Sequence, residues 1–249
     1  MIRYHGTPIT PDAAASHILK GRHGLVSFYR PDQIGLVSEI CQSFVIDNGA
    51  FSYWRKNIEP DWNGYETFCQ TWEFHPGFDW LIIPDVIDGT LDENKVLIDK
   101  WVKLFDRSKL VPVWHLNEPI DWLVELCKTF DRVALGSAGE YSQIGTDKWF
   151  YRMNDCFQAI TDKQGRPVVK IHGLRMMNPT VFSRFPFASC DSCNVARNCG
   201  IDKQWESNPY MANVSRASRG VVMADRCESH AVASVWVPSR ERQYRLLLG

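Results

Sequence analysis

Ser43-Phe44-Val45-Ile46-Asp47-Asn48-Gly49-Ala50-Phe51 is a short apolar run that ends in a carboxylate and a glycine turn. The same pattern recurs at Leu81-Ile82-Ile83-Pro84-Asp85, Val111-Pro112-Val113-Trp114-His115, Val133-Ala134-Leu135-Gly136-Ser137 and Phe187-Ala188-Ser189-Cys190-Asp191. Runs of this length bounded by turn residues read as buried strands. The segments between them carry apolar residues at helical spacing: 65–72, 91–105, 119–127 and 148–160. Strand and helix in alternation predict an α/β fold with a parallel sheet. Polar groups repeated at strand ends, with no glycine-rich dinucleotide fingerprint, favour a (β/α)8 TIM-like barrel over an open sheet. Its strands are expected at residues 24–28, 43–47, 80–84, 110–115, 132–135, 168–171, 187–190 and 220–223.

The 249 residues, 45% of them hydrophobic, suffice for one core, so residues 1–249 are expected to form a single domain. Residues 199–249 read as an irregular C-terminal part. The formal net charge of −1 hides an asymmetry: residues 170–249 hold 11 Lys and Arg against 6 Asp and Glu. A polyanion or plain solvent can meet such a face. Arg216, Arg219, Arg226, Arg240, Arg242 and Arg245, with Trp205, Tyr210 and Trp236 among them, make this segment the candidate for polynucleotide contact. A solvated basic face with packing aromatics is the alternative.

Eight scattered cysteines favour reduced thiols in a cytoplasm rather than a disulfide framework. No apolar run approaches the roughly 20 residues that span a bilayer, so a soluble chain without membrane contact is expected.

The residues with chemistry in them are few. Asp47, followed by small residues and then Phe51, reads as a proton carrier beside an aromatic face, or as a turn cap. Asp191 has the same strand-end position. Two carboxylates converging on one pocket suit displacement at a sugar carbon. Asp85 offers acceptors to the edge of a guanine or caps the following helix. His115 is either a donor to a carbonyl or a satisfied core histidine. Gly136 and Ser137 expose backbone N–H groups or form an ordinary strand-to-helix turn. Cys193, Cys199, Cys227 and His230 are four soft ligands for a zinc ion, but their spacing is irregular, and free buried thiols are the preferred reading. No metal is therefore expected.

In order along the chain, Ile46-Asp47-Asn48-Gly49-Ala50-Phe51-Ser52 resembles the Asp-Ser-Gly-Gly-Phe-Gln motif of the tRNA-guanine transglycosylase superfamily. Ala134-Leu135-Gly136-Ser137-Ala138-Gly139-Glu140 resembles its Gly-Leu-Ala-Val-Gly-Glu loop. Val169-Lys170-Ile171-His172-Gly173-Leu174 and Asp191-Ser192-Cys193-Asn194-Val195-Ala196-Arg197-Asn198 are similar to its Met-Gly-Val-Gly segment and its nucleophile motif, Asp-Cys-x-x-Pro-Thr-Arg-x-Ala-Arg-Asn. The short chain and the wording of residues 185–192 are closer to the phage branch, which inserts 7-deazaguanine bases into DNA.

The resemblance implies a base-exchange pentosyltransferase in which Asp191 attacks C1′ and expels guanine. Asp47 then acts as general base on the incoming 7-deazaguanine, with Phe51 stacking on it. Asp85 falls at the base-recognising position, Leu135, Gly136 and Ser137 in the backbone-binding loop, and Gly173 in the Met-Gly-Val-Gly segment. His115 stands where the family has Gln. Arg197, Arg216 and Arg219 are expected nucleic-acid contacts. No diffusible cofactor is required, and a phage-encoded enzyme would act in the host cytoplasm. The family's Cys-x-Cys-x-x-Cys plus His zinc string does not follow Asp191, which counts against tRNA as the acceptor. A carbohydrate hydrolase and a non-catalytic nucleic-acid-binding barrel are the remaining alternatives.

Overall fold

The computed structural model describes residues 1–200 and 214–238. Within them the order is β1 (Ile2–Gly6), α1 (Asp12–Leu19), β2 (His23–Ser27), α2 (Ile34–Ile40), β3 (Ser43–Asp47), α3 (Ala50–Lys56), α4 (Trp62–Trp72), β4 (Phe78–Ile82), α5 (Leu91–Trp101), β5 (Leu110–Val111), β6 (Val113–His115), α6 (Ile120–Thr129), β7 (Arg132–Gly136), α7 (Asp147–Ile160), β8 (Lys170–Gly173), α8 (Pro179–Phe182), β9 (Ser189–Ser192), α9 (Asn194–Asn198) and α10 (Arg216–Ser229).

The strands form one parallel sheet in the order β5-β4-β3-β2-β1-β9-β8-β7-β6. Its two ends, β5 and β6, are consecutive in the chain and separated only by Pro112, so the sheet curls back on itself. Proline has no N–H to give to a ladder, which is why one barrel strand is split in two. Its carbonyl is still used, accepting from Ala134 N at 2.9 Å. The expected α/β barrel is therefore present, with β5 and β6 sharing one of eight strand positions.

Side chains alternate between two layers. Inward lie Tyr4, Leu25, Val45, Trp80, Ile82, Val111, Val113 and Ala134, which pack as one cluster. Outward lie Val26, Phe44, Ile46, Val133, Leu135, Ile171 and Cys190, which pack against the helices in a larger core. The helices start where their caps demand: Thr90 and Glu93 make a reciprocal capping box on α5, and Thr146 caps α7.

Two expectations fail together. The barrel begins one strand earlier, at Ile2–Gly6, and the expected strand at 220–223 is part of helix α10. β1 shows no apolar run because it buries polar side chains that find partners remote in sequence. Tyr4 Oη donates to Asp79 at 2.6 Å, and His5 Nε2 lies 2.9 Å from Glu228 of α10. The apolar run at 220–223 is a helix face, with Gly220 and Ala224 buried and Val222 exposed. A Cβ at Gly220 would fall 2.2 Å from Ile18 Cδ1, so glycine lets α10 lie close on α1. Residues 216–229 thus correct the reading of everything after 199 as irregular. β8 and β9 each start two residues later than expected. Among the described residues no helix is long and apolar enough to cross a membrane.

Candidate active site

All strands being parallel, their C-terminal ends form one rim, and the inward position nearest that rim points into the mouth of the bore. In β3 that position is Asp47, two residues after inward Val45; in β6 it is His115, two after Val113. Asp191 sits inward in β9, paired in register with Tyr4. With Asp85, Phe51 and Arg175 these residues line a cavity of about 330 Å³. β3 and β9 are three steps apart in the strand order, so Asp47 and Asp191 face one cavity across the bore.

The two carboxylates stand in different surroundings. Burial pushes Asp47 up to about 6; the nearby Ser27 hydroxyl and the Gly49 N–H (3.1 Å) oppose the rise, while the charges of Asp191 and Asp85 add to it. Near neutral pH such a group both takes and gives a proton. Asp191 Oδ1 accepts the backbone N–H of Arg175 at 2.7 Å. His172 Nε2 lies 3.3 Å from the same oxygen, in a geometry that makes no aligned hydrogen bond. Burial lowers the pKa of His172 against the opposing pull of Asp191, so the ring is neutral.

Asp85 is the centre of a buried network. Its Oδ1 accepts from Asn48 Nδ2 (2.7 Å), which also donates to the Ile83 carbonyl (2.8 Å), and its Oδ2 lies 2.9 Å from His115 Nε2. Glu118 receives the His115 backbone N–H at 2.8 Å, and burial raises its pKa against that contact. Burial works against the His115 imidazolium, but the hydrogen bond and charge of Asp85, with the charges of Glu118 and Asp88, together raise the histidine's pKa. Each carboxylate oxygen of Asp85 has a second lone pair beyond the partner it already holds.

The structure sorts the other expected site residues by parity. Gly136 and Ser137 line the cavity, and Ser137 Oγ also accepts from Trp149 Nε1 at 2.9 Å. Leu135 and Gly173 do not line it. Both lie on outward positions: Leu135 is fully buried in the layer under the helices, and a Cβ at Gly173 would meet Met176 Cβ at 2.9 Å and Phe187 at 3.0 Å. Period-two alternation sends the residue before Gly136, and the one before Leu174, away from the bore. Phe51 lines the cavity, with the Arg175 guanidinium 3.9 Å from its ring centroid. The Arg55 guanidinium lies 5.9 Å from the same centroid, so the ring is flanked by cations.

Arg197 lines the cavity. Arg216 and Arg219 spend their guanidinium groups on backbone carbonyls: Arg216 donates to Thr10 O (2.5 Å), and Arg219 to Cys199 O (3.1 Å) and Val214 O (2.6 Å). They tie α10 to the barrel. Trp236 is buried, its Nε1 donating to Asn154 at 3.1 Å, and so is a packing aromatic. Trp205, Tyr210, Arg240, Arg242 and Arg245 lie outside the described residues.

The eight cysteines are free thiols. Cys193 lines the cavity, with burial pushing its thiol up to about 11, whereas Cys199 is buried in the helical layer. Among the described residues no group of three or more His, Cys, Asp and Glu is placed to hold a metal ion.

The sequence reading missed Asn48 as a ligand of Asp85, Glu118 behind His115, and Arg175. Arg175 is the least legible. It adopts a left-handed backbone (φ 59°), a strained conformation for a residue with a Cβ, and so aims its N–H at Asp191. No residue type in Gly173-Leu174-Arg175 announces this.

Comparison of the chain with protein-family models, with curated proteins and with solved structures finds no match.

Proposed function

We propose that the chain is a base-exchange glycosyltransferase of the tRNA-guanine transglycosylase type, replacing guanine in DNA with a 7-deazaguanine through a covalent aspartyl-sugar intermediate. One observation carries the reading: Asp47 and Asp191 face the same cavity in different electrostatic surroundings. Two carboxylates in unlike settings on one cavity can divide acid–base from nucleophilic work. The cavity, about 330 Å³, is on the scale of small-ligand sites.

In the first displacement a carboxylate oxygen of Asp191 bonds to C1′ while the C1′–N9 bond breaks. Its electron pair leaves on guanine, which takes a proton from Asp47. In the second, the incoming deazaguanine gives its N9 proton to the Asp47 carboxylate, N9 bonds to C1′, and Asp191 departs with its electron pair. The proton is returned and the sugar is inverted twice, so configuration is retained. Asp85, held by Asn48 and His115, offers its remaining lone pairs to the donor edge of the base. Phe51 offers an aromatic wall of the cavity to the base, and Gly136 and Ser137 border the base through their backbone. No cofactor is invoked, since attacking group and proton carrier are both side chains. The nucleotide must be extruded or single stranded for C1′ to reach the bore, at a cost of a few kcal/mol in a duplex. Arg197 at the cavity is the phosphate contact best placed among the three arginines expected. Free thiols throughout support a reducing, cytoplasmic setting.

The test is incorporation of mass-tagged 7-deazaguanine into duplex DNA, single-stranded DNA and tRNA. Incorporation into DNA that disappears in Asp191→Asn is expected. Incorporation into tRNA alone would reassign the acceptor, and none into any of the three would end the proposal.

A further inference from the structure

Asp191 is approached from inside the barrel by polar groups that the exchange as written leaves unused. His172 and Ser189 are fully buried on inward positions of β8 and β9. Ser189 Oγ lies 2.9 Å from His172 Nδ1 and accepts from Arg132 Nη1, also at 2.9 Å. Arginine has only protons to give. Ser189 therefore accepts from Arg132, and its single proton is left for His172 Nδ1. That places the imidazole proton on Nε2. The alternative tautomer would leave the serine proton unspent and set an imidazole lone pair 3.3 Å from a carboxylate oxygen. The ring cannot turn away readily: Trp80 packs against it at 4.8 Å between centroids and 67°, Tyr4 at 6.2 Å and 60°.

Both described neighbours of the Asp191 carboxylate, the Arg175 N–H at 2.7 Å and His172 Nε2 at 3.3 Å, fall on Oδ1. Oδ2 has no such partner among the described residues.

We infer that His172 is a positioning residue for Asp191: oriented by Ser189 and Arg132 with its proton on Nε2, it faces Oδ1 from 3.3 Å beside the Arg175 N–H, near enough to align as a second donor when charge changes on that oxygen, and leaves Oδ2 as the attacking oxygen. The inference rests on the proposed role of Asp191 as nucleophile. When the Oδ2–C1′ bond forms and C1′–N9 breaks, with its electron pair leaving on the base, Oδ1 becomes the ester carbonyl and keeps both donors. When the second base displaces Asp191, the electron pair of the Oδ2–C1′ bond returns to the carboxylate, and the donors stabilise the charge that develops. Donors that favour carboxylate over ester keep the intermediate from accumulating.

The decisive measurement on the resting protein is the ¹⁵N spectrum of the His172 ring. Nε2 protonated and Nδ1 as acceptor is expected in the wild type, with the preference lost in Ser189→Ala. An Nδ1-protonated ring overturns the inference whatever the protein catalyses. In the exchange assay, His172→Phe is expected to lower kcat ~100-fold, the scale of one lost oriented donor, with KM for the polynucleotide within ~2-fold. The fraction of enzyme trapped as covalent adduct is expected to rise. His172→Gln, which restores an N–H at that place, recovers most of kcat. A His172→Phe protein with unchanged kcat, or with less adduct as kcat falls, overturns the inference. A wild type that exchanges no base on any acceptor ends the proposed function alone, and the ring tautomer still decides whether His172 holds Asp191.

Discussion

At the floor of the bore Asp79 receives hydroxyl protons from Tyr4 (2.6 Å) and Ser43 (2.5 Å), and Arg132 lies over Trp80 at 5.2 Å from its centroid while donating to Ser189. At the mouth of the same bore, Asp47, Asp85 and Asp191 crowd one cavity, and the charges of Asp191 and Asp85 help to hold Asp47 up at about 6. Both ends bury carboxylates among aromatic and polar groups. The floor gives its carboxylate two hydroxyl donors from the chain itself, both on Oδ2, under a lid of packed side chains. The mouth leaves lone pairs and an uncancelled like-charge cost facing space. Carboxylates that keep lone pairs beyond their internal partners, at the C-terminal rim of a barrel, mark where binding energy is to come from outside.

The contrast can be broken by substitution, and the largest effect belongs to the mouth. Asp191→Asn is expected to lower base exchange by about 10⁴-fold or more while thermal unfolding shows an intact fold. A variant that keeps substantial exchange would move the nucleophile elsewhere. Asp47→Asn is expected to cost about 10²–10⁴-fold. Resolution of the trapped adduct by the incoming base should rise with pH through about 6 in the wild type, as the Asp47 carboxylate forms, and that limb should be absent in the variant.

The same residue sharpens the comparison through stability. Folding raises Asp47 from 3.8 to about 6, so between those values the unfolded chain ionises first and the wild type loses stability as pH rises, levelling above about 6. Asp47→Asn should then be more stable than the wild type at pH 7, by up to about 3 kcal/mol, and the advantage should fade towards pH 4. Denaturant titrations at the two pH values read this directly, and an advantage independent of pH would argue against it. At the floor the sign is opposite. Ser43→Ala removes one donor from Asp79 and should cost about 1–3 kcal/mol while leaving exchange within ~2-fold. The smallest effect lies at the rim: Arg197→Gln should weaken polynucleotide binding modestly and without sequence preference, lowering the salt slope by about one. An unchanged slope would remove Arg197 from the phosphate path.

Much of this was legible where a single residue type carried the signal. Apolar runs ending in Asp47, Asp85, His115 and Asp191 pointed to one rim because parallel strands end together. What failed did so for reasons of parity and satisfaction. Leu135 and Gly173 sat inside the right motifs but one position out of phase with the bore. β1 carries no apolar signature because its buried Tyr4 and His5 find partners at Asp79 and Glu228, far away in sequence. The run at 220–223 looked like a strand because four residues cannot separate a helix face from a sheet interior. Arg216 and Arg219 looked like free charge until their carbonyl partners were seen.

By itself the chain's order of residues determined the alternation of strand and helix, hence a parallel barrel and a rim bearing acids, since periodicity and turn chemistry are local properties. Only the closed barrel decided which acids meet, that Asp47 is held up by burial beside two others while Asp191 is gripped at Oδ1, and that His172 faces it. Those are effects of distance and desolvation between residues remote in sequence, and they arise only once water has been excluded from the space they share.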